Sequence, residues 1–108
     1  MCGIAGILCP PRADHLLRQT LARELEALAN GLGHRGPDDS GTLIHGGAGL
    51  AHTRLSILDL SPAGAQPMRS PDGSLALAYN GEVYNFARLR STFETRAEPF
   101  RSNGDTEV

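Results

Sequence analysis

The chain has 108 residues, a formal net charge of −2 and a hydrophobic content of 40%, which predicts one globular domain with a modest core. This weak charge gives no electrostatic reason to expect binding to nucleic acid or to a membrane, and no apolar run approaches the roughly 20 residues that span a bilayer. All ten basic residues are arginine, which excludes a Walker-type phosphate loop and Schiff-base lysine chemistry.

The first part of the chain predicts a buried strand and an amphipathic helix. Gly3–Leu8 is an apolar, glycine-punctuated run typical of a buried strand. Asp14 is suited to cap a helix, and Asn30-Gly31 with Gly33 is suited to end it. Leucines at helical spacing give this helix one apolar face: Leu16, Leu17, Leu21, Leu25, Leu28 and Leu32.

The middle of the chain predicts a loop followed by a hairpin. Residues 34–41 are polar and rich in turn-forming types, which indicates a loop. Strands are predicted over Thr42–Ile44 and Leu50–Leu58, on either side of a Gly46-Gly47 turn.

Shorter elements are predicted in the remainder of the chain. Pro71-Asp72-Gly73 is a strong turn signal before a strand over Leu75–Tyr79. Asn85 is suited to cap a second helix. We also expect an extended piece over residues 96–102 and the first turn of a third helix over residues 105–108.

Cys2 is a candidate nucleophile because removal of Met1 would leave a thiol and a free α-amine on one residue. Their unperturbed pKa values, about 8.5 and about 7.7–8.0, are close enough for the amine to serve as a built-in base. A cysteine in an apolar strand is nevertheless more often a small buried hydrophobic residue. Cys9 lies too far along the same predicted strand for a disulfide, and no secretory signal is visible, so we expect a reduced, cytoplasmic protein.

Arg54, the Asn80-Gly81-Glu82 turn and Asp105 each have an ordinary explanation: a surface ion pair, a hairpin turn and a helix cap. Together with Cys2, these residues fit a more specific interpretation, the hydrolysis of a carboxamide by a thiolate. The Asn80 amide and the Gly81 N–H would form an oxyanion hole. Arg54 would bind a substrate carboxylate, and Asp105 would bind an α-ammonium group. Glutamine carries a group that matches each of these residues. The histidines have no zinc-ligand spacing, and the Asp38-Asp39 pair is weak evidence for a metal.

Six sequence blocks, in order along the chain, carry a family resemblance. They are Met1-Cys2-Gly3-Ile4-Ala5-Gly6, His34–Gly41, His52–Asp59, Gly64–Met68, Asn80–Asn85 and Asp105–Val108. In these blocks the chain resembles the N-terminal glutaminase domain of the glutamine-hydrolysing asparagine synthetases, which are class II glutamine amidotransferases. Other class II amidotransferases share the cysteine start and the Asn-Gly turn but differ in their loops, and they remain an alternative. Gly104 stands where the family usually has serine, which is expected to loosen the turn that presents Asp105.

The resemblance implies an α+β fold, the αββα sandwich of the N-terminal-nucleophile hydrolases, here incomplete, with residues 1–108 forming the first part of one amidotransferase domain. It makes Cys2 the nucleophile and Asn80 and Gly81 its catalytic partners. The implied glutamine site comprises Arg54, Leu55, Ser56, Ile57, Leu58, Asn80, Gly81, Glu82 and Asp105.

The resemblance also implies which partners and cofactors the chain has. L-Glutamine is the implied substrate, and no metal or other cofactor is implied within this chain. ATP and Mg²⁺ belong to a synthetase domain of the parent enzyme, which uses the ammonia to make asparagine from aspartate and which forms a possible homodimer. An incomplete sandwich predicts weak or no glutaminase activity for these residues alone. A non-catalytic module that at most binds glutamine or a partner is therefore the other open interpretation.

Overall fold

The computed structural model describes residues 1–10, 14–96 and 99–108. The fold is a mixed arrangement of short strands and two α-helices. In chain order the elements are β1 (Gly3–Leu8), α1 (His15–Gly31), β2 (Asp39–His45), β3 (Ala48–Arg54), a 3₁₀ turn (Pro62–Gly64), β4 (Met68–Arg69), β5 (Ala76–Leu77) and α2 (Phe86–Glu94).

The main sheet has three antiparallel strands in the order β1-β3-β2, and β4 pairs with β5 in a separate antiparallel ribbon. β3 is hydrogen-bonded on both sides, so its register is set twice. Gly3 of β1 lies opposite Thr53, and Asp39 of β2 lies opposite Arg54. Cys2, which precedes β1, and Arg54, the last residue of β3, therefore lie at the same end of the sheet's strands.

Helix α1 packs against one face of this sheet. Its N-cap Asp14 accepts a hydrogen bond from the Leu17 N–H at 2.8 Å, as predicted. The buried side chains of α1 meet Ala51 of β3 and form the core: Leu21, Leu25 and Ala29. Because side chains alternate along a strand, His52 and Arg54 project from the opposite face of β3.

The lengths of three predicted strands were wrong. β2 runs from Asp39 to His45, so it extends Thr42–Ile44 in both directions and takes in the end of the predicted loop. β3 ends at Arg54, and residues 55–58 do not continue it. Their backbone bonds side chains instead of a strand, since the Ser56 N–H donates to Asp38 Oδ2 at 2.7 Å. β5 covers only Ala76–Leu77 of the predicted Leu75–Tyr79.

The predictions for the C-terminal part had mixed outcomes. α2 begins after Asn85 as predicted, although the Asn85 side chain makes no capping hydrogen bond. A bend at Asp105 and a turn at Thr106-Glu107 lie where the first turn of a third helix was predicted, and the Asp105 carboxylate accepts from the Val83 N–H instead of capping that turn. The predicted extended piece over residues 96–102 includes residues 97 and 98, which lie outside the described residues. Neither helix in the described ranges has the length and apolar character needed to cross a membrane.

Candidate active site

A cleft of about 370 Å³ lies on the face of β3 opposite α1, a size within the range of small-molecule sites. The nucleophile Cys2 and eight of the nine residues predicted for the glutamine site line it: Arg54, Leu55, Ile57, Leu58, Asn80, Gly81, Glu82 and Asp105. Ser56 is not among the lining residues. Residues that are distant in sequence, and that were predicted from their chemistry or from the family resemblance, are thus adjacent in the fold.

Cys2 is half-buried in the wall of the cleft, and its main chain is fixed by the residues around it. The Cys2 carbonyl accepts a hydrogen bond from Arg35 Nε at 3.1 Å. The thiol contacts both backbone groups of Leu55, accepting from its N–H at 3.3 Å and donating to its carbonyl at 3.7 Å. These contacts fix the direction of the sulfur atom. Cys2 and Cys9 are both free thiols.

The packing around Gly3 explains why a small residue follows Cys2. The Gly3 N–H donates to Thr53 Oγ1 at 3.2 Å, and that hydroxyl donates to the Leu32 carbonyl at 3.1 Å. A Cβ at position 3 would lie only 2.6 Å from Thr53 Oγ1 and 2.9 Å from Leu32 Cβ. Glycine therefore allows the chain behind Cys2 to lie directly against the end of α1 and against β3.

Arg54 is buried, with 9% of its surface exposed. Its Nη1 donates to the Ser61 carbonyl at 3.0 Å, and its Nη2 donates to the Asp59 carbonyl. A Cβ at Gly64 would lie 2.9 Å from the Arg54 Cζ, so the guanidinium is packed against that glycine. Two of the five guanidinium N–H groups are used in this way, which leaves three without a hydrogen bond to the described residues.

Asp59 joins two segments of the cleft wall, a role that sequence reasoning missed. Its Oδ1 accepts from the Ser61 N–H at 2.8 Å and its Oδ2 from the Asn103 N–H at 2.7 Å. Hydrogen bonds from Ser61 and from the Asn103 backbone lower the pKa of Asp59 to about 2. The Asp-Leu-Ser spacing was the available signal, because aspartate often bonds the backbone two residues further on.

Asp105 is buried in the cleft wall, and its Oδ2 accepts a hydrogen bond from the Val83 N–H at 2.7 Å. The preceding Gly104 carbonyl accepts from Arg90 Nη2 at 2.9 Å, which ties this turn to α2. A Cβ at Gly104 would meet nothing closer than Ser102 Oγ at 3.8 Å, an ordinary contact. The usual serine would therefore fit, and the contacts that hold the turn do not require a side chain at position 104.

The Asn80-Gly81 turn lines the cleft, and both residues are exposed. The preceding Tyr79 is held by two side chains: its N–H donates to Gln66 Oε1 at 2.6 Å, and its carbonyl accepts from His52 Nε2 at 3.2 Å. A Cβ at Gly81 would overlap the Tyr79 hydroxyl, so glycine is needed where the phenol ring lies against the turn.

His52 is almost fully buried, with 1% of its surface exposed. Burial is the main cause that lowers its pKa. Because Nε2 carries the hydrogen that bonds the Tyr79 carbonyl, Nδ1 is the unprotonated nitrogen, and it has no partner among the described residues. His52 is thus a neutral hydrogen-bond donor that lies behind the cleft wall.

The ordinary explanations can now be compared with the structure. The Asn80-Gly81 turn leads into α2 and not into a second strand of a hairpin, and the Asp105 carboxylate bonds the Val83 N–H instead of an N–H that follows it. Arg54 bonds carbonyl groups, and the ion pair found among the described residues joins Arg101 and Glu107 instead. The hairpin, helix-cap and surface ion-pair interpretations therefore do not account for these residues.

Residues 1–108 match, over their whole length, the sequence profile of the glutamine amidotransferase domain. The chain belongs to this family. The family predicted from the six sequence blocks is therefore confirmed. Similar proteins include asparagine synthetase [glutamine-hydrolyzing] 2 of Bacillus subtilis, which is 38% identical over 110 residues that cover 100% of the chain and 14% of the relative.

The names of two further relatives of this amidotransferase domain give different functions. Asparagine synthetase B [glutamine-hydrolyzing] of Escherichia coli is 41% identical over 108 residues, which cover 100% of the chain and 18% of the relative. The amidase chyE of Penicillium rubens is 37% identical over 114 residues, which cover 100% of the chain and 17% of the relative. The chain thus spans less than a fifth of the length of these three curated relatives.

Proposed function

We propose that this amidotransferase domain hydrolyses the side-chain amide of L-glutamine, with Cys2 as the nucleophile after removal of Met1. The observation that carries the proposal is the convergence on one cleft of Cys2, Arg54, the Asn80-Gly81 turn and Asp105. Met1 is 76% exposed and is therefore accessible for removal. Each of these groups matches one part of the glutamine molecule or one step of amide cleavage.

The proposed reaction has two steps, which are linked by a glutamyl thioester on Cys2. The Cys2 thiolate attacks the amide carbon, and the negative charge moves to the amide oxygen, where the Asn80 side-chain amide and the Gly81 N–H stabilise it. The Cys2 α-amine transfers the thiol proton to the leaving nitrogen, and the C–N bond breaks to release ammonia. Water then attacks the glutamyl thioester with the α-amine as base, which gives glutamate and restores the thiol.

Substrate binding in this proposal uses the α-carboxylate and the α-ammonium group of glutamine. The three free N–H groups of Arg54 would bind the α-carboxylate. Asp105 would bind the α-ammonium group through its Oδ1, while Oδ2 remains on the Val83 N–H. Leu55 orients the thiol, whereas Ser56 acts through the loop that its N–H anchors to Asp38. The exposed Ile57, Leu58 and Glu82 would form the cleft wall around the substrate.

The function of the whole protein is a further part of this proposal. We infer an N-terminal-nucleophile αββα sandwich to which residues 1–108 contribute the first part, in a cytoplasmic enzyme and a possible homodimer. The names of the bacterial relatives favour transfer of the ammonia to aspartate by an ATP- and Mg²⁺-dependent synthetase domain. The relative named as an amidase favours a second candidate, a glutamine-using enzyme that has another ammonia acceptor.

The test is a nuclear magnetic resonance titration, because the sequence predicts weak turnover for these residues alone and binding can be measured without it. We expect L-glutamine to shift the backbone signals of Asn80, Gly81 and Asp105 in a saturable way. L-Asparagine, which is one methylene shorter, should give at least about tenfold weaker binding, since its amide and its α-groups cannot be bound together. Absence of a glutamine-specific shift in the cleft would contradict the proposal.

A further inference from the structure

Gln66 lines the cleft, and both the oxygen and the nitrogen of its carboxamide form hydrogen bonds. Its Oε1 accepts from the Tyr79 N–H at 2.6 Å, and its Nε2 donates to Thr106 Oγ1 at 3.3 Å. Tyr79 immediately precedes the Asn80-Gly81 turn, and Thr106 immediately follows Asp105. Gln66 thus lies between the proposed oxyanion donors and the proposed α-ammonium site.

His52 completes the hold on Tyr79 from the sheet side. Its Nε2 donates to the Tyr79 carbonyl at 3.2 Å, so the N–H and the carbonyl of one residue are both bound by side chains. The two supports are themselves fixed. His52 belongs to the central strand β3, and Gly41 of β2 lies directly against the Gln66 carbonyl, where a Cβ would overlap it.

We propose that Gln66 and His52 are positioning residues that hold the Asn80-Gly81 turn at the distance from Cys2 at which it can stabilise an oxyanion. The turn needs such support, because Asn80 and Gly81 are both exposed and no strand continues past Leu77 to hold them. Oxyanion donors act through their fixed placement, so a small displacement reduces catalysis more than it reduces binding. The inference rests on the proposed glutaminase function.

The test uses a glutamine analogue that carries a diazoketone in place of the side-chain amide. The Cys2 sulfur forms a bond to the terminal carbon as dinitrogen leaves and the carbon takes up a proton, and the ketone oxygen occupies the place of the amide oxygen. Mass spectrometry of the intact protein gives the maximal modification rate and the half-saturating concentration separately. Gln66→Met should lower the maximal rate about tenfold and change the half-saturating concentration less than about twofold.

Three further variants distinguish a positioning role from a general loss of structure. Gln19 is exposed on α1, and Gln19→Met should leave both constants unchanged. His52→Leu should lower the maximal rate as Gln66→Met does, and His52→Gln should restore most of it, because a glutamine amide retains an N–H donor near the position of Nε2. A maximal rate that is unchanged in Gln66→Met, or a larger effect on the half-saturating concentration, would overturn the positioning role.

Failure of the proposed function would look different from failure of this inference. If the analogue does not modify Cys2 of the unmutated protein in competition with glutamine, the proposed function fails. The positioning role is then judged from the amide signals of Asn80 and Gly81. We expect both signals to move or broaden in Gln66→Met and to stay in place in Gln19→Met. Unchanged signals would overturn the positioning role whatever happens at Cys2.

Discussion

Cys2→Ala is expected to reduce ammonia release from L-glutamine to the uncatalysed background. Loss of the attacking atom leaves binding and oxyanion donors in place but removes the covalent route, which lowers kcat by about 10⁴-fold or more in enzymes of this kind. The structure supports a direct effect, because the Cys2 side chain lines the cleft and its thiol bonds the backbone of Leu55. The measurement is the rate of ammonia formation, after removal of Met1, by the whole protein that carries this domain, because residues 1–108 alone are expected to turn over weakly.

Cys9 provides the matched control for this substitution. It is the second free thiol of the chain, it is also half-buried, and it packs beside the core under α1 and away from the cleft. Cys9→Ala should therefore retain the ammonia release of the unmutated chain. Ammonia release that persists in Cys2→Ala would show that another group performs the attack.

Asp105→Asn is expected to weaken glutamine binding by about 10- to 100-fold. The asparagine oxygen can still accept from the Val83 N–H, so the fold of this turn is retained. The negative charge opposite the substrate α-ammonium group is lost, and a hydrogen bond to a charged group contributes about 1.5–3 kcal/mol. The measurement is the Kd of L-glutamine from the backbone signals of Gly81.

The control ligand for Asp105 is glutamine without its α-amine, which retains the side-chain amide and the carboxylate. This ligand should bind the unmutated chain and Asp105→Asn with equal Kd. Asp39→Asn is the control variant, because Asp39 is exposed and lies outside the cleft lining. A loss of affinity that is equal for glutamine and for the ligand without the amine would contradict the assigned role of Asp105.

The helices were predictable because their signals are local: the leucine spacing of α1 and its Asp14 cap lie within one stretch of sequence, and the structure has the helix and the cap. The predicted apolar face was too wide, because Leu16, Leu17 and Leu28 are exposed and only Leu21 and Leu25 of the predicted leucines are buried in the core. The end of β3 was not predictable in the same way, since the apolar pattern continues through Leu55–Leu58. β3 ends where its neighbours do, at the pairs Gly3–Thr53 and Asp39–Arg54, and this depends on residues distant in the chain.

The site was predictable in its chemical groups but not in their supports. Cys2, Arg54 and Asp105 carry groups that a glutamine-cleaving site requires, and they lie on one cleft; their roles stay predictions. The capping role predicted for Asp105 was wrong, because its carboxylate bonds the Val83 N–H, 22 residues away. Gln66 carries no distinctive local pattern, since its partners Tyr79 and Thr106 lie 13 and 40 residues further on.

The most direct test of the central claim is to identify the residue that the diazoketone analogue of glutamine modifies. After removal of Met1, we expect one adduct per chain, located on Cys2 by peptide mass spectrometry, with Cys9 unmodified. L-Glutamine should slow the reaction in proportion to its occupancy of the cleft, and L-asparagine should slow it much less. Modification of Cys9 at a comparable rate, or a Cys2 adduct whose formation glutamine does not slow, would contradict a glutamine-cleaving site built on Cys2.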